Sequence, residues 1–441
     1  MKKTLTVGIS AVCVVAALLF LWKSNPNPVV QREEEDDKEE LPARYVEARL
    51  KYEYDMIKDP VTGKVPYGIQ QQEKEFAMTI PVKGFDVAST VNGTSRLTTL
   101  NTYIPAGPNN IGGRTRAVVY DMRYNGTSNQ VIIAGSVSGG IRRSIDGGMN
   151  WERVSPENDI HNLTTLAQDP TAPDTWYAAG GESLGNSTSE LGATYMSFGI
   201  WKSTNNGASW TRLPLNTITD VNGSPLGVGI LESFDHPFDF VHKIAVSPTN
   251  GHLYVAGHRR LMKSTNGGNS FQVVLGGSVG AIASAGQMDV TIDNNGKVYA
   301  AVNGGNPDLA LRGVWVSATG DLNTFTKIAG GSTLGVDSVA GWRANSYTLI
   351  GAGTYLPKRI LLALAPSNQN IAYVFYENGL SQESPQLAPE TDFYKIDISG
   401  NSYTWTNRSQ NMPDFPGGNL SGSDPIATQG GYDMLVAVKP N

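Results

Sequence analysis

A single cysteine, Cys13, stands in 441 residues, and it falls inside an N-terminal apolar segment. The rest of the chain can form no intramolecular disulfide, thiolate metal cluster or thiol nucleophile, so its stability rests on packing. Charge is scarce as well. Asp, Glu, Lys and Arg make up 17% of the chain, against about 25% in typical soluble domains. No basic stripe or cluster is present, which excludes the electrostatic footprint of a nucleic-acid binder. The net charge of −6 is matched by one stretch, Glu33–Glu40, with seven acids and one lysine, and everything else is close to neutral. What the chain has in quantity is 49 Gly and 24 Pro, beside 8 Trp, 18 Tyr and 12 Phe. Breakers at that density argue against a helical bundle and for many short strands joined by turns. The aromatic content excludes a disordered chain, which could not bury enough apolar surface to offset its entropy.

The N-terminus reads as an export signal. Lys2 and Lys3 precede Thr4–Trp22, nineteen residues without charge, and Lys23 follows. No small-x-small cleavage site follows the apolar run, and its length just spans a bilayer. Residues 1–24 are therefore either an uncleaved membrane anchor or a signal peptide with an unusual site. Both readings place the bulk of the protein outside the cytoplasm, secreted, on the cell surface or membrane-anchored. Residues 25–40 form an acidic spacer, extended by Asn25-Pro26-Asn27-Pro28 and by self-repulsion. Residues 41–100 form a short helical leader: one helix over 41–57, a turn at Asp59–Pro66, and a second helix from Ile69 to Met78.

From about residue 100 the chain repeats. Ser144-Ile145-Asp146-Gly147-Gly148-Met149-Asn150-Trp151, Ser203-Thr204-Asn205-Asn206-Gly207-Ala208-Ser209-Trp210 and Ser264-Thr265-Asn266-Gly267-Gly268-Asn269-Ser270-Phe271 share the pattern Ser-x-Asp/Asn-x-Gly-x-x-aromatic. This is the Asp-box (BNR) signature. A fourth copy, Ser317–Phe325, carries one extra residue, and a fifth, from Asp397 to Trp405, is more degraded. The expected roles are structural: Gly148, Gly207 and Gly268 permit a tight turn, the side chains of Asp146, Asn205 and Asn266 accept backbone N–H bonds across it, and Trp151, Trp210 and Phe271 pack the following strand, with Ser144, Ser203 and Ser264 opening each box. Before each box come an apolar strand, a turn and a second strand, as in Ile244-Ala245-Val246-Ser247-Pro248 followed by Leu253-Tyr254-Val255-Ala256-Gly257. Such units cannot bury both faces alone and stack as blades. The expected fold is all-β, an Asp-box β-propeller of four-stranded blades over residues 101–441. It contains about five blades and, at Met434–Asn441, the opening strand of a sixth, which suggests an incomplete ring. The long insertions are 181–198, 214–240 and 330–357.

With these boxes, the entry segment Gly107-Pro108-Asn109-Asn110-Ile111-Gly112-Gly113-Arg114-Thr115-Arg116 and the leader turn Asp59–Pro66, the chain resembles the N-terminal part of the large secreted Asp-box propeller proteins of Bacteroidota. These are similar in blade pattern to sortilin-type receptors and xyloglucanase-type glycoside hydrolases. The resemblance implies two tandem propellers and type IX secretion, and it specifies fold and export better than activity.

Function has to be read from a site. The first reading is a cell-surface or secreted binding module for a glycan or a protein, with no nucleic-acid partner and with the membrane engaged through an uncleaved N-terminus. The alternative is a glycoside hydrolase, which needs two carboxylates flanking the scissile bond. Asp121, Asp169, Glu182, Asp235, Asp239 and Asp289 lie near strands or insertions, but nothing pairs two of them. The densest local cluster is Asp235-His236-Pro237-Phe238-Asp239-Phe240-Val241-His242, a set that suits a transition metal. The plainer reading of that cluster is an insertion re-entering a blade, with its phenylalanines packed and its histidines hydrogen-bonded. Asp293-Asn294-Asn295-Gly296 resembles part of a calcium loop and equally a hairpin turn; no other cofactor is indicated. Arg114 and Arg116 are placed to face a central channel and meet an acidic ligand, or to pack at its entrance.

Overall fold

The computed structural model describes residues 51–79, 114–181, 196–276, 287–303, 311–330, 359–377, 391–412 and 434–440, apart from gaps at 53, 138, 157–161, 215–216 and 227–235; the isolated positions 339, 342, 347–349 and 353–355 are also described. The N-terminal segment, the acidic spacer and most of the first leader helix lie outside these residues. No helix among the described residues is long and apolar enough to cross a membrane.

The leader turn forms as its composition dictates. The Asp59 carboxylate accepts the backbone N–H groups of Val61 (2.8 Å) and Thr62 (2.7 Å), which ends the preceding helix. A second helix follows at Ile69–Thr79.

The remainder is β. The first sheet holds β1 (Thr115–Tyr120), β2 (Ile132–Ser136), β3 (Ile141–Ser144) and β4 (Glu152–Arg153) in chain order. The second holds β5 (Thr165–Gln168), β6 (Trp176–Ala179), β7 (Ile200–Ser203) and β8 (Thr211–Arg212). The third runs β10 (Val241–Val246), β11 (Leu253–Gly257), β12 (Arg260–Ser264) and β13 (Phe271–Gly276), with β9 (Ile218–Thr219) added parallel to β13. The 214–240 insertion supplies that fifth strand, which the repeat pattern does not announce. The fourth sheet holds β14 (Met288–Ile292), β15 (Val298–Val302), β16 (Gly313–Ser317) and β17 (Thr326–Ala329). A hairpin of β18 (Tyr347–Leu349) and β19 (Gly353–Tyr355) then precedes the fifth sheet. That sheet holds β20 (Ile360–Leu364), β21 (Ile371–Glu377), β22 (Thr391–Ser399) and β23 (Ser402–Asn407).

The first strands pack in succession, β1 on β5, β5 on β10, β10 on β14 and β14 on β20. Five antiparallel meanders joined at their first strands are successive blades of a propeller. Their second strands, such as Trp176-Tyr177-Ala178-Ala179 and Val298-Tyr299-Ala300-Ala301-Val302, are buried along their whole length. A strand covered on both faces takes an unbroken apolar run instead of an alternating one, and its alanines let neighbouring sheets approach closely. Met434–Pro440 is described and forms no strand pairing, so the expected opening strand of a sixth blade is not seen as a strand.

The three clean repeats fold alike. The hydroxyls of Ser144, Ser203 and Ser264 bond the Asx side chains of Asp146, Asn205 and Asn266 at 2.7, 2.9 and 2.9 Å. They also accept the N–H groups of Gly148, Gly207 and Gly268 at 2.8, 3.0 and 2.9 Å. Each Asx oxygen then accepts a backbone N–H four residues on, from Asn150, Ser209 and Ser270. Hydrogen bonds to its charged form, led by the Asn150 N–H, hold the Asp146 carboxyl down at about 2. The fourth turn keeps the Ser317 hydroxyl as acceptor of Gly320 N–H at 2.8 Å but bonds Thr324 in place of an Asx side chain. The fifth is a correction: Ser399 pairs directly with Ser402, and Gly400-Asn401 is a plain two-residue hairpin loop with no such network.

Adjacent sheets share a joint built from these turns. A cation on one sheet donates into a carbonyl of the next turn: Arg143 to Asn206 (2.9 Å), Lys202 to Gly267 (3.1 Å), Lys263 to Thr319 (3.1 Å) and Lys297 to Gly400 (3.0 Å). A tyrosine backs the lysines: Lys202 and Lys263 each lie 5.5 Å from the ring centres of Tyr177 and Tyr254. The turn must come close, and at Gly207 an added Cβ would stand 2.1 Å from the Ile133 Cδ1 of the preceding sheet. The covering sheet explains why Trp210 is 4% exposed while Trp151, on the first sheet, is 39% exposed.

The joint makes a prediction. Lys263 is buried and also reaches Asp321 at 2.6 Å. Lys263→Met should lower unfolding free energy by roughly 1.5–3 kcal/mol, the range for a hydrogen bond to a charged group. Lys395→Met, which loses only a bond to the half-exposed Asp397, should cost less than about 1 kcal/mol. Urea titration of both variants is the check, and equal losses would dismiss the joint as a source of stability.

Candidate functional site

In a meander, the turns between first and second strands and those between third and fourth strands lie at one end. The second-to-third loops and the sheet-to-sheet connections lie at the other. The strand ends that flank all three long insertions (181–198, 214–240 and 330–357) therefore sit at the same loop-bearing end, where the first strands begin, although β9 within the second insertion runs beside the turn-end start of β13.

The topology separates the candidate carboxylates. Asp121, Asp169 and Asp293 sit at the turn end and are occupied there. Asp121 is ion-paired with Arg123 at 2.9 Å. Asp169 accepts the backbone and hydroxyl of Thr171 at 2.8 and 2.7 Å. Asp293 accepts the N–H groups of Asn295 and Lys297, both at 2.9 Å, which is hairpin-turn geometry. Asp239 and Asp289 sit at the loop end. Asp239 is 1% exposed and accepts His236 N–H at 2.8 Å. Asp289 accepts Leu362 N–H at 2.8 Å and Val290 N–H at 2.9 Å, tying the fourth sheet to the fifth. Glu182 and Asp235 lie outside the described residues.

The cluster at 235–242 folds into a tight re-entry. His236 accepts Phe238 N–H through Nδ1 at 3.0 Å, and Phe238 packs edge-on against Phe271 with ring centres 5.1 Å apart. Phe238 and Phe240 are both 1% exposed. His242 points elsewhere: its Nδ1 accepts Met288 N–H of the fourth sheet at 3.3 Å. Among the described residues, no group of three or more His, Cys, Asp or Glu is placed to hold a metal ion.

Arg116 and His242 occupy equivalent positions. Each is skipped in the pairing of its first strand, between Thr115 and Ala117 and between Val241 and Lys243. A bulge there re-aims the side chain. Burial pushes the His242 imidazole well below its ordinary range, helped by the nearby charges of His258, Arg359 and Arg116. The His258 ring stands 6.3 Å from that of His242, and Arg359 immediately precedes β20, so sheets one and five bring two arginines toward the buried histidines of sheet three. Arg114 is exposed beside them, and its carbonyl accepts Val137 N–H at 3.0 Å.

Further arginines join this end. Arg259, Arg260 and Arg312 are 6%, 9% and 1% exposed, and burial lowers all three guanidinium pKa values, that of Arg312 to about 10. Arg259 also holds a left-handed backbone, φ 61°, uncommon for a residue other than glycine. The sequence reading passed over Arg259, Arg260, Arg312 and Arg359, which are scattered over a hundred residues. Aligning the repeats would have shown each one at or just before the start of a third or first strand, hence at one end of the blades. The arrangement suits holding an anionic group in a poorly solvated setting, where charge interactions are strong.

No family model matches this chain, and no curated protein matches it. Solved structures do. An ancestral GH74 enzyme matches at 17% identity with a TM-score of 0.41, over 66% of this chain and 32% of its own. The GH74 xyloglucanase from Xanthomonas campestris matches at 18% identity and 0.41, over 70% of this chain and 39% of its own. YCF48 bound to D1 peptide matches at 12% identity and 0.33, over 66% and 75%. This chain thus spans well under half the length of the two hydrolases.

Proposed function

We propose that this chain is an exported β-propeller binding module that takes an anionic group of a glycan or of a surface protein at its loop-bearing end. The observation that carries the reading is the gathering of Arg116, His242, His258 and Arg359 from three sheets at that end. Export and surface placement rest on the N-terminal apolar run, and the serine–Asx turns are read as structural Asp boxes with no part in binding. A glycoside hydrolase is the second reading, favoured by the two loop-end carboxylates, Asp239 and Asp289.

Calorimetry with an oligogalacturonate and a neutral dextran of equal length separates these readings. Binding of the acidic sugar that weakens with salt, and falls about tenfold or more in Arg116→Ala and Arg359→Ala, is expected. New reducing ends released from a neutral polysaccharide, and abolished by Asp239→Asn, would instead establish hydrolysis.

A further inference from the structure

The outer edges of the five sheets are not equivalent. An exposed edge strand offers unpaired backbone groups to any other chain, and short length or charged side chains are the usual protection. β4 and β8 are two residues long and carry Glu152, Arg153 and Arg212. β17 is four residues long and carries Lys327. β13 is uncharged, but β9 pairs with its first two residues and Val273, Val274 and Leu275 are buried. β23 is the exception: it runs six residues, Ser402-Tyr403-Thr404-Trp405-Thr406-Asn407, with no charge and no proline. No strand lies beyond it among the described residues.

The register shows which of its backbone groups are unused. The two-residue loop makes Ser399–Ser402 a hydrogen-bonded pair, and such pairs alternate along an antiparallel ladder. Thr404 and Thr406 therefore turn their backbone groups inward to Asp397 and Lys395, as Arg408 does to Phe393 at 2.7 Å. The N–H and C=O groups of Tyr403, Trp405 and Asn407 point outward. Their rings face inward: Tyr403 and Trp405 pack on the core that contains Tyr394 and Trp342. The solvent face shows hydroxyls, from Ser402, Thr404 and Thr406.

We propose that β23 is a dimerisation edge on which a second copy of this chain adds its own β23 antiparallel about a two-fold axis at Trp405. The two-fold pairs Tyr403 with Asn407 of the second copy, and Thr404 with Thr406 of the second copy. It would form about six backbone hydrogen bonds, two for each hydrogen-bonded pair. The chain already covers part of another outer edge with an added strand, β9, which runs parallel to β13. Self-pairing suits this edge because an uncharged row meets its own image without like-charge repulsion, and threonine pairs across strands favourably. The interface is isologous and closes at two copies.

Sedimentation equilibrium on the full chain and two double variants tests this. Wild type should be dimeric. Thr404→Lys with Thr406→Lys sets lysine against lysine twice across the axis and should weaken dimerisation by about tenfold or more. Thr404→Lys with Thr406→Glu sets opposite charges there and should restore it. A monomeric wild type, a dimer indifferent to the double lysine change, or a failure of the mixed-charge variant to recover would each overturn the proposal. Should the variants misfold, hydrogen exchange of wild type at two concentrations decides. The amides of Tyr403, Trp405 and Asn407 should slow as concentration rises. If they are protected in the monomer as well, another strand of the same chain covers the edge and the dimer is excluded.

Discussion

Gly180→Ala is expected to leave the second and third sheets unable to dock, with a stability loss above about 4 kcal/mol, in the range where a single change prevents folding. The position follows β6, and an added Cβ would lie 1.2 Å from the Asn162 carbonyl oxygen and 2.3 Å from its carbon. These are backbone atoms with nowhere to move. Leu163 donates its N–H to Ser136 of the first sheet, and the Gly180 carbonyl accepts Val241 N–H of the third at 2.8 Å. One methyl group therefore displaces the connection among three sheets. Circular dichroism and a urea melt of the variant read the result. A cooperative transition within about 1 kcal/mol of wild type would mean that the approach at Asn162 is looser than described.

Asp121→Ala should cost roughly 2–4 kcal/mol, because a buried charge network loses its centre. The carboxylate side chain is fully buried. It accepts Arg123 Nε at 3.0 Å and Nη2 at 2.9 Å, Gln168 Nε2 at 3.0 Å and Asn129 Nδ2 at 3.1 Å. Gln168 lies on β5, so the network clamps the first turn of one sheet to the first strand of the next. Burial pushes this carboxyl up, but the bonds from Arg123, Gln168 and Asn129 outweigh it and hold the group far below its ordinary 3.8. A depressed folded-state pKa stabilises above the unfolded value and loses that contribution as pH falls through the folded one. Wild type should therefore lose stability steeply below about pH 4. In Asp121→Ala the acid limb should be shallower while stability at neutral pH is lower throughout. Parallel acid limbs in the two proteins would assign the acid sensitivity to other carboxylates.

Much of the fold is legible in the sequence because its repeats are local. The serine, the Asx residue and the glycine of each turn lie within five positions, so Ser203, Asn205 and Gly207 announce one another without knowledge of the fold. The apolar second strands are similarly plain. The fifth turn reads as a worn copy of the box because Trp405 stands where the aromatic should, although Gly400-Asn401 turns the chain between the paired Ser399 and Ser402 without the hydroxyl network of the box. β9 was hidden for the opposite reason: two residues, Ile218 and Thr219, give no periodicity, and only β13 makes them a strand. The candidate site was least legible. Arg116 was singled out from its neighbours in the chain, but Arg359 joins it only through the stacking of five sheets. The 235–242 cluster offers both a metal set and a packed re-entry because its residues are adjacent, and the chain packs Phe238 and turns His236 and His242 to separate partners.

The turn network also bears on how the protein ages. Asn266 is followed by Gly267, and Asn206 by Gly207, the pairing most prone to lose its side-chain amide when the following backbone nitrogen attacks it. At Asn266 that attack is obstructed, because the side-chain oxygen is held by Ser264 and by Ser270 N–H at 2.9 and 3.0 Å, and the amide nitrogen donates to the Ser270 hydroxyl at 2.8 Å. Simple conversion to aspartate would reproduce what Asp146 already does in the first turn, whereas the isoaspartyl product would lengthen the backbone by one atom and pull the third sheet's turn off Lys202. Slow chemical damage at this turn would then be felt not at the loop-bearing end but at the seam between two blades.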